Sequence, residues 1–203
     1  MTTIEFFYDI SSPWTYFACD RIESFCERNG ADLVWKPFLV GGVFNKVNPS
    51  VYQRRENPVP PKDDYYQKDM ADWARHQGIT MIKPSVFPLN SVKALRGAFV
   101  AIDEDAVPAY SRACFEAYWR DDKDLSQEDV LRTVVTSVGM DADSFFERIG
   151  DDAVKRRLFE TTDDLIARGG FGSPTFFIDG DDMYFGNDRL ELMQSAIDRK
   201  NTA

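Results

Sequence analysis

The segment Ile4–Ile10, Ile-Glu-Phe-Phe-Tyr-Asp-Ile, runs straight into Ser11-Ser12-Pro13-Trp14-Thr15-Tyr16, and this junction decides the fold. The first part is aromatic and β-branched and reads as a buried strand. Ser is a favoured N-cap, and Pro suits the first helical position because the N–H it lacks has no partner there. The spacing therefore predicts a helix from Pro13 to about Arg28, ended by Asn29-Gly30. Asp32–Leu39 follows as a second strand. Strand, helix and strand so close together form a βαβ unit with a right-handed crossover and a parallel pair.

Downstream the pattern changes. Gly41-Gly42 ends the strand. Asn48–Pro61 carries Pro49, Pro58, Pro60 and Pro61 and reads as a long loop. From Lys62 to Arg168 the periodicity is helical, with helices expected over Asp64–Gln77, Ser91–Asp103, Ala106–Arg120, Gln127–Val138, Ala142–Ile149 and Asp151–Arg168. After Gly169-Gly170, Thr175–Asp179 and Met183–Phe185 read as a hairpin around Gly180-Asp181-Asp182. Gly186-Asn187-Asp188 then opens a last helix to about Lys200. The outline is βαβ, a helical block, then ββα. Two half-sheets that make sense only together point to one α/β domain, residues 1–45 plus 169–203, interrupted by an all-helical insertion at 46–168.

Composition narrows the function. The chain has 203 residues, with 24 Lys+Arg against 34 Asp+Glu and a formal net charge of −10. An acidic chain lacks the basic face that nucleic acid requires. No apolar run approaches the ~20 residues of a bilayer span, so no membrane association is expected. The opening MTTIEFFYDI has no basic n-region followed by an apolar stretch and cleavage site, and a cytoplasmic setting is expected. Cys19 and Cys26 lie about 10.5 Å apart along one helix, too far for a disulfide, and Cys114 stands alone. One His and three Cys do not supply a dedicated zinc site, so no metal is expected. The acidic runs Asp103–Asp105, Asp121-Asp122 and Asp151-Asp152 fall at helix ends and read as solvated.

Three short elements could carry chemistry. Ser12 sits where a helix N-terminus concentrates unpaired N–H groups and about half a positive charge, a setting that stabilises thiolates and other anions. It serves either as an N-cap alone or as a cap that also donates to a bound anion, since one hydroxyl can do both. Gly172-Ser173-Pro174-Thr175 places Pro174 at a strand start, where its missing N–H is tolerated. Local sequence alone favours a trans Ser173-Pro174 bond. Asp188 with Glu191 resembles a capping box; Asp188 is either a cap or a carboxylate for an ammonium group beside the helix terminus.

Taken in order, these pieces resemble the thioredoxin fold, in which the first helix usually opens with Cys-x-x-Cys. Here Ser12 and Thr15 occupy those positions, so a dithiol couple is absent. The resemblance is closer to the 2-hydroxychromene-2-carboxylate isomerases and the kappa-class glutathione transferases. It is carried by Tyr8-Asp9-Ile10-Ser11-Ser12-Pro13-Trp14-Thr15-Tyr16, Pro37–Phe44, and Lys62 with Tyr65, Asp69 and Trp73-Ala74-Arg75. Phe87-Pro88-Leu89-Asn90-Ser91, Gly170–Phe177 and Gly186-Asn187-Asp188-Arg189 complete it, over nearly the whole chain.

The resemblance implies a thioredoxin-like domain with a helical insertion and glutathione as cofactor. It implies isomerisation of a conjugated aromatic or chromene carboxylate by reversible thiolate addition, in the breakdown of aromatic compounds. The alternatives are a kappa-like transferase and a non-catalytic glutathione- or thiol-binding module. Residue by residue, it implies that Ser12 donates to the glutathione thiolate. The backbone of Ser173, before a cis Pro174, would pair with the cysteinyl part, and Asn187 and Asp188 would hold the γ-glutamyl end. Asn48 and Lys62 would line the outer pocket, with Asn45 as the alternative to Asn48. Lys46, Arg54, Arg55, Lys62 and Lys83 are the cations available for a substrate carboxylate. The implied partner is a small aromatic carboxylate, and a homodimer is an assembly open to such a chain.

Overall fold

The computed structural model describes residues 1–202. Strand β1 (Thr3–Tyr8) leads into helix α1 (Pro13–Asn29) and strand β2 (Asp32–Pro37). Eight helices follow: α2 (Val40–Val47), α3 (Ser50–Glu56), α4 (Pro60–Gln77), α5 (Val92–Asp103), α6 (Val107–Trp119), α7 (Glu128–Ser137), α8 (Ala142–Arg148) and α9 (Asp152–Ala167). Strands β3 (Thr175–Ile178) and β4 (Asp182–Phe185), a 3-10 turn (Asn187–Arg189) and helix α10 (Leu190–Thr202) complete the chain. Among the described residues, no helix is long and apolar enough to cross a membrane.

The sheet order is β2-β1-β3-β4. β1 runs parallel to β2 and antiparallel to β3, and β3 and β4 form the expected antiparallel hairpin. The first and last parts of the chain thus share one thioredoxin-like sheet. The hairpin turns through Asp179 and Gly180 at φ 52° and 94°, left-handed values that Gly and Asp tolerate best. Gly30 ends α1 at φ 58°.

β1 is central, so both its faces are covered. Phe6, Tyr8 and Phe176 belong to the larger core cluster, which runs on without a break into α5, α6, α7 and α8. On the other face, Phe7 and Phe177 pack with Phe38, Val40, Val43 and Leu165 from the β2–α2 segment and α9. Tyr8 Oη and Ser111 Oγ, 2.8 Å apart, join the sheet to α6 within the core.

Two expectations about local structure need correcting. The stretch 48–61 is not a long loop: it holds α3 and the start of α4. Three of its four prolines start helices rather than break them: Pro49 precedes α3, and Pro60 and Pro61 occupy the first positions of α4, where no intrahelical N–H bond is lost, while Pro58 lies in the short link between the two helices. The Ser173-Pro174 bond is cis, as is Phe87-Pro88; local sequence alone had favoured trans for the first of these.

Candidate functional site

The end of β1, the start of α1 and the approach to β3 converge through hydroxyl groups. Ser12 is the N-cap of α1: its Oγ accepts from the Thr15 N–H at 3.3 Å and donates to the Ser173 carbonyl at 3.0 Å. Ser173 Oγ lies 2.7 Å from Thr15 Oγ1 and accepts the Asp9 backbone N–H at 3.0 Å. The two positions where a dithiol would stand are thus occupied by hydroxyls bonded into the segment that precedes cis Pro174. Gly186 N–H closes the other side of that segment by donating to Pro174 O at 3.1 Å.

Beneath this junction lies Asp9, which is wholly buried. One carboxylate oxygen accepts the Ser11 N–H and the other the Val40 N–H, both at 2.9 Å. Asp9 therefore satisfies the first N–H of α2, a helix whose own N-cap residue, Leu39, offers no side-chain acceptor. Thr162 Oγ1 on α9 takes the Leu39 N–H at 3.0 Å. Burial pushes the Asp9 carboxyl above the usual carboxylate range, against the pull of the Ser11 and Val40 N–H groups and the Ser91 hydroxyl. Sequence reasoning quoted Asp9 within a motif but gave it no role. The available signal was a carboxylate directly after the aromatic run Phe6-Phe7-Tyr8 at the end of the strand.

The remaining residues singled out from the sequence are spread around this junction. Asn48 caps the end of α2 and donates through Nδ2 to Phe171 O at 3.2 Å, which ties it to the segment before Ser173. Asn45 instead accepts from Tyr52 Oη at 2.8 Å. Asn187 is 4% exposed, and its Nδ2 has no hydrogen-bond partner, while its carbonyl accepts from Arg21 at 2.6 Å. Arg21 in turn lies over the ring of Trp73, 5.2 Å from its centroid. Asp188 is exposed and pairs with the adjacent Arg189 at 2.6 Å. It is not the cap of a box with Glu191: a 3-10 turn precedes α10, and its cap position falls on Gly186 with no side-chain bond. Lys62 is exposed in the first turn of α4, and no side-chain bond ties it to the junction among the described residues. The three cysteines are buried and free, and burial pushes each thiol upward, so none is a ready thiolate.

An apolar cavity of about 220 Å³ opens beside Pro13, the residue that follows Ser12. Tyr66 and Met70 of α4, Phe87, and Trp119 at the end of α6 form much of its wall. The wall is fixed by hydrogen bonds: Trp119 Nε1 donates to Ile10 O at 2.9 Å, and Ile82 N–H to Trp119 O at 2.7 Å. A capped helix N-terminus bearing a hydroxyl thus adjoins a small aromatic chamber. That pairing suits an anion at the helix and an apolar reactant beside it.

Known proteins resemble this chain over almost their full length. The chain is 29% identical over 199 residues to a 2-hydroxychromene-2-carboxylate isomerase of Pseudomonas putida, covering 97% of this chain and 94% of that protein. It is 24% identical over 213 residues to human glutathione S-transferase kappa 1, covering 98% and 92%. A solved structure of a 2-hydroxychromene-2-carboxylate isomerase superposes with a TM-score of 0.81 at 27% identity, covering 97% of this chain and 95% of the other. The sheet order, the helix entry at Ser12 and the approach to Pro174 all lie within residues 3–198, the span that matches a family model, and the chain belongs to the DSBA-like thioredoxin domain family.

Proposed function

We propose that the protein is a glutathione-dependent isomerase of conjugated aromatic or chromene carboxylates. The observation that carries this reading is the hydroxyl of Ser12, held at a helix N-terminus next to an apolar cavity, where thiol–disulfide enzymes of this fold would place a cysteine. A site with a hydroxyl and no thiol calls for a sulfur brought by a ligand. The names of the near full-length relatives supply both halves of the proposal, an isomerase of a chromene carboxylate and a glutathione transferase.

The residues present suit glutathione. Asn187 Nδ2 is a buried donor without a partner, and an unmet buried donor costs about 1–3 kcal/mol unless a ligand satisfies it. Asn187 and Asp188 would hold the γ-glutamyl end, which carries both an ammonium and a carboxylate. The backbone of Ser173 would take the cysteinyl part. Asn48 and Lys62 would line the outer edge. When bound, glutathione supplies a thiolate that adds reversibly to a conjugated double bond.

Ser12 has one hydroxyl proton, which Ser173 O now receives. A ligand N–H that takes over Ser173 O frees that proton for an anionic sulfur. The helix N-terminus adds a field of the same sign, and both effects favour the ionised sulfur near neutral pH. The aromatic wall holds the conjugated reactant and excludes water. Calorimetric titration with glutathione, followed by a spectroscopic assay of 2-hydroxychromene-2-carboxylate isomerisation, tests the reading. Turnover that leaves the glutathione concentration unchanged is the expected result. Consumption of glutathione would replace it with a transferase, the reading favoured by the likeness to the human kappa protein. No uptake of glutathione would remove both.

A further inference from the structure

Arg21 stands on α1, half-buried, and is held from three sides. Its Nη2 donates to the Asn187 carbonyl at 2.6 Å, across 166 residues of chain. Its guanidinium lies over the ring of Trp73 on α4, 5.2 Å from the centroid. With the Gln77 amide oriented so that both its ends find partners, Gln77 accepts from Arg21 Nε at 3.0 Å and donates to Phe17 O at 3.1 Å. One side chain thus reaches from α1, against α4, to the turn that opens α10.

Three restraints leave a guanidinium little freedom. Arginine carries its donors in a planar fork, so a bond at Nε and a ring against its face set where Nη2 points. The Asn187 carbonyl is fixed in consequence. The rest of Asn187 is 4% exposed, with Nδ2 unmet. A hydrogen bond from a charged donor is stronger than a neutral one, so the turn that carries Nδ2 is set from α1. Three carboxylates, Asp20, Asp188 and Glu191, act on Arg21 through charge alone and not through a hydrogen bond. A guanidinium that served only the fold would gain more by pairing with one of them; this one gives its short bond to a neutral carbonyl.

We propose that Arg21 is a positioning residue for the γ-glutamyl end of the tripeptide. By clamping the Asn187 carbonyl it holds Nδ2 ready for that end, and it makes the protein select γ-glutamyl thiols over shorter cysteinyl peptides. Its charge also offsets Asp20, Asp188 and Glu191, whose field would otherwise repel the glutamyl carboxylate. The assignment rests on the glutathione reading above and adds to it a residue that acts through Asn187.

Calorimetric titration of the full-length chain with glutathione and with N-acetylcysteinylglycine tests the assignment. The second probe keeps the thiol and the cysteinyl amide but lacks the glutamyl ammonium and carboxylate. The wild type should bind glutathione about tenfold tighter or more. Arg21→Gln should cut that preference to about threefold or less, while affinity for N-acetylcysteinylglycine stays within about twofold. Arg21→Lys keeps the charge but not the fork, so it should keep only part of the preference; it carries the comparison where Arg21→Gln fails to fold. A wild type without preference, an undiminished preference in the variants, or an equal loss of both probes, the mark of a role in the fold alone, would overturn the assignment. Isomerase assays in parallel separate the two readings. No uptake of either probe by the wild type removes the glutathione reading and this assignment together. Turnover and glutathione uptake with an undiminished preference in the variants remove this assignment alone. A preference that falls as expected without any turnover removes the isomerase and leaves the role of Arg21 standing.

Discussion

Replacing Ser12 with Ala should separate the structural and chemical duties of one hydroxyl. The structural loss follows from its two bonds, the Thr15 N–H at 3.3 Å and the Ser173 carbonyl at 3.0 Å. Thr15 N–H also reaches the Ser12 carbonyl at 3.2 Å, so part of the cap survives, and its loss belongs at the low end of the usual ~0.5–2 kcal/mol. The bond to Ser173 is a neutral hydrogen bond worth about 1 kcal/mol. Together they predict a loss of about 1–2 kcal/mol, or roughly 3–6 °C in Tm for a domain of this size. The chemical loss is larger. A hydroxyl donating to a charged sulfur contributes about 1.5–3 kcal/mol, so the bound thiol should titrate at higher pH and turnover should fall about 10- to 100-fold. Thiolate absorbance of the glutathione complex, followed against pH beside steady-state rates, reads the second effect; a thermal melt reads the first. Ser12→Thr should keep most of both. If Ser12→Ala shows the expected drop in Tm but an unchanged thiol titration and full activity, the hydroxyl is a cap only and the reasoning fails.

Asp9→Ala strands the buried backbone N–H of Val40 and the part-buried one of Ser11, and should cost about 2–4 kcal/mol in urea unfolding; a loss under about 1 kcal/mol would mean that Asp9 does not anchor the junction. Glu5 is raised by burial, but the bonds from Arg168 and Lys36 outweigh this and hold it below its usual range. Its contribution is therefore complete above the unfolded carboxyl value and is lost as pH falls through the lower folded value. The stability gap between wild type and Glu5→Gln should shrink from about pH 5 toward pH 3, and a gap constant over that range contradicts the ion-pair account. Gly97→Ala would place a Cβ 2.2 Å from Phe145 Cζ and 2.5 Å from Tyr110 Oη. The helix-propensity gain of ~1 kcal/mol should not offset that clash in a close-packed core, and a variant at least as stable as wild type would show that the core yields more than its packing indicates.

What was legible in the sequence was governed by local chemistry. Ser12-Pro13 marks the start of α1, and Asn29-Gly30 its end, because cap hydrogen bonding and left-handed backbone are properties of a few adjacent residues. The helical segments and the hairpin followed from periodicity and turn residues for the same reason. The misreadings occurred where a residue's meaning depends on distant partners. The prolines of 48–61 read as breakers because only packing decides whether a helix starts at them. Asp9 looked like one carboxylate among many, since the N–H of Val40 that it satisfies lies beyond α1 and β2. Asp188 suggested a cap, but the chain takes a 3-10 turn there and pairs it with Arg189. The junction around Ser12 was legible in outline. Its link to Thr15 through Ser173 was not, because those residues are 158 apart in the chain.

The central strand β1 is flanked by β2, its near neighbour in the chain, and by β3, which follows more than a hundred residues later. During synthesis, Ser12 therefore waits with one side of its cradle unbuilt until the segment around Ser173 and Asn187 has left the ribosome. A nascent chain halted after α6 holds the residues of the cavity wall but not the proposed tripeptide cradle, so competence should switch on abruptly near the close of translation rather than accumulate with length.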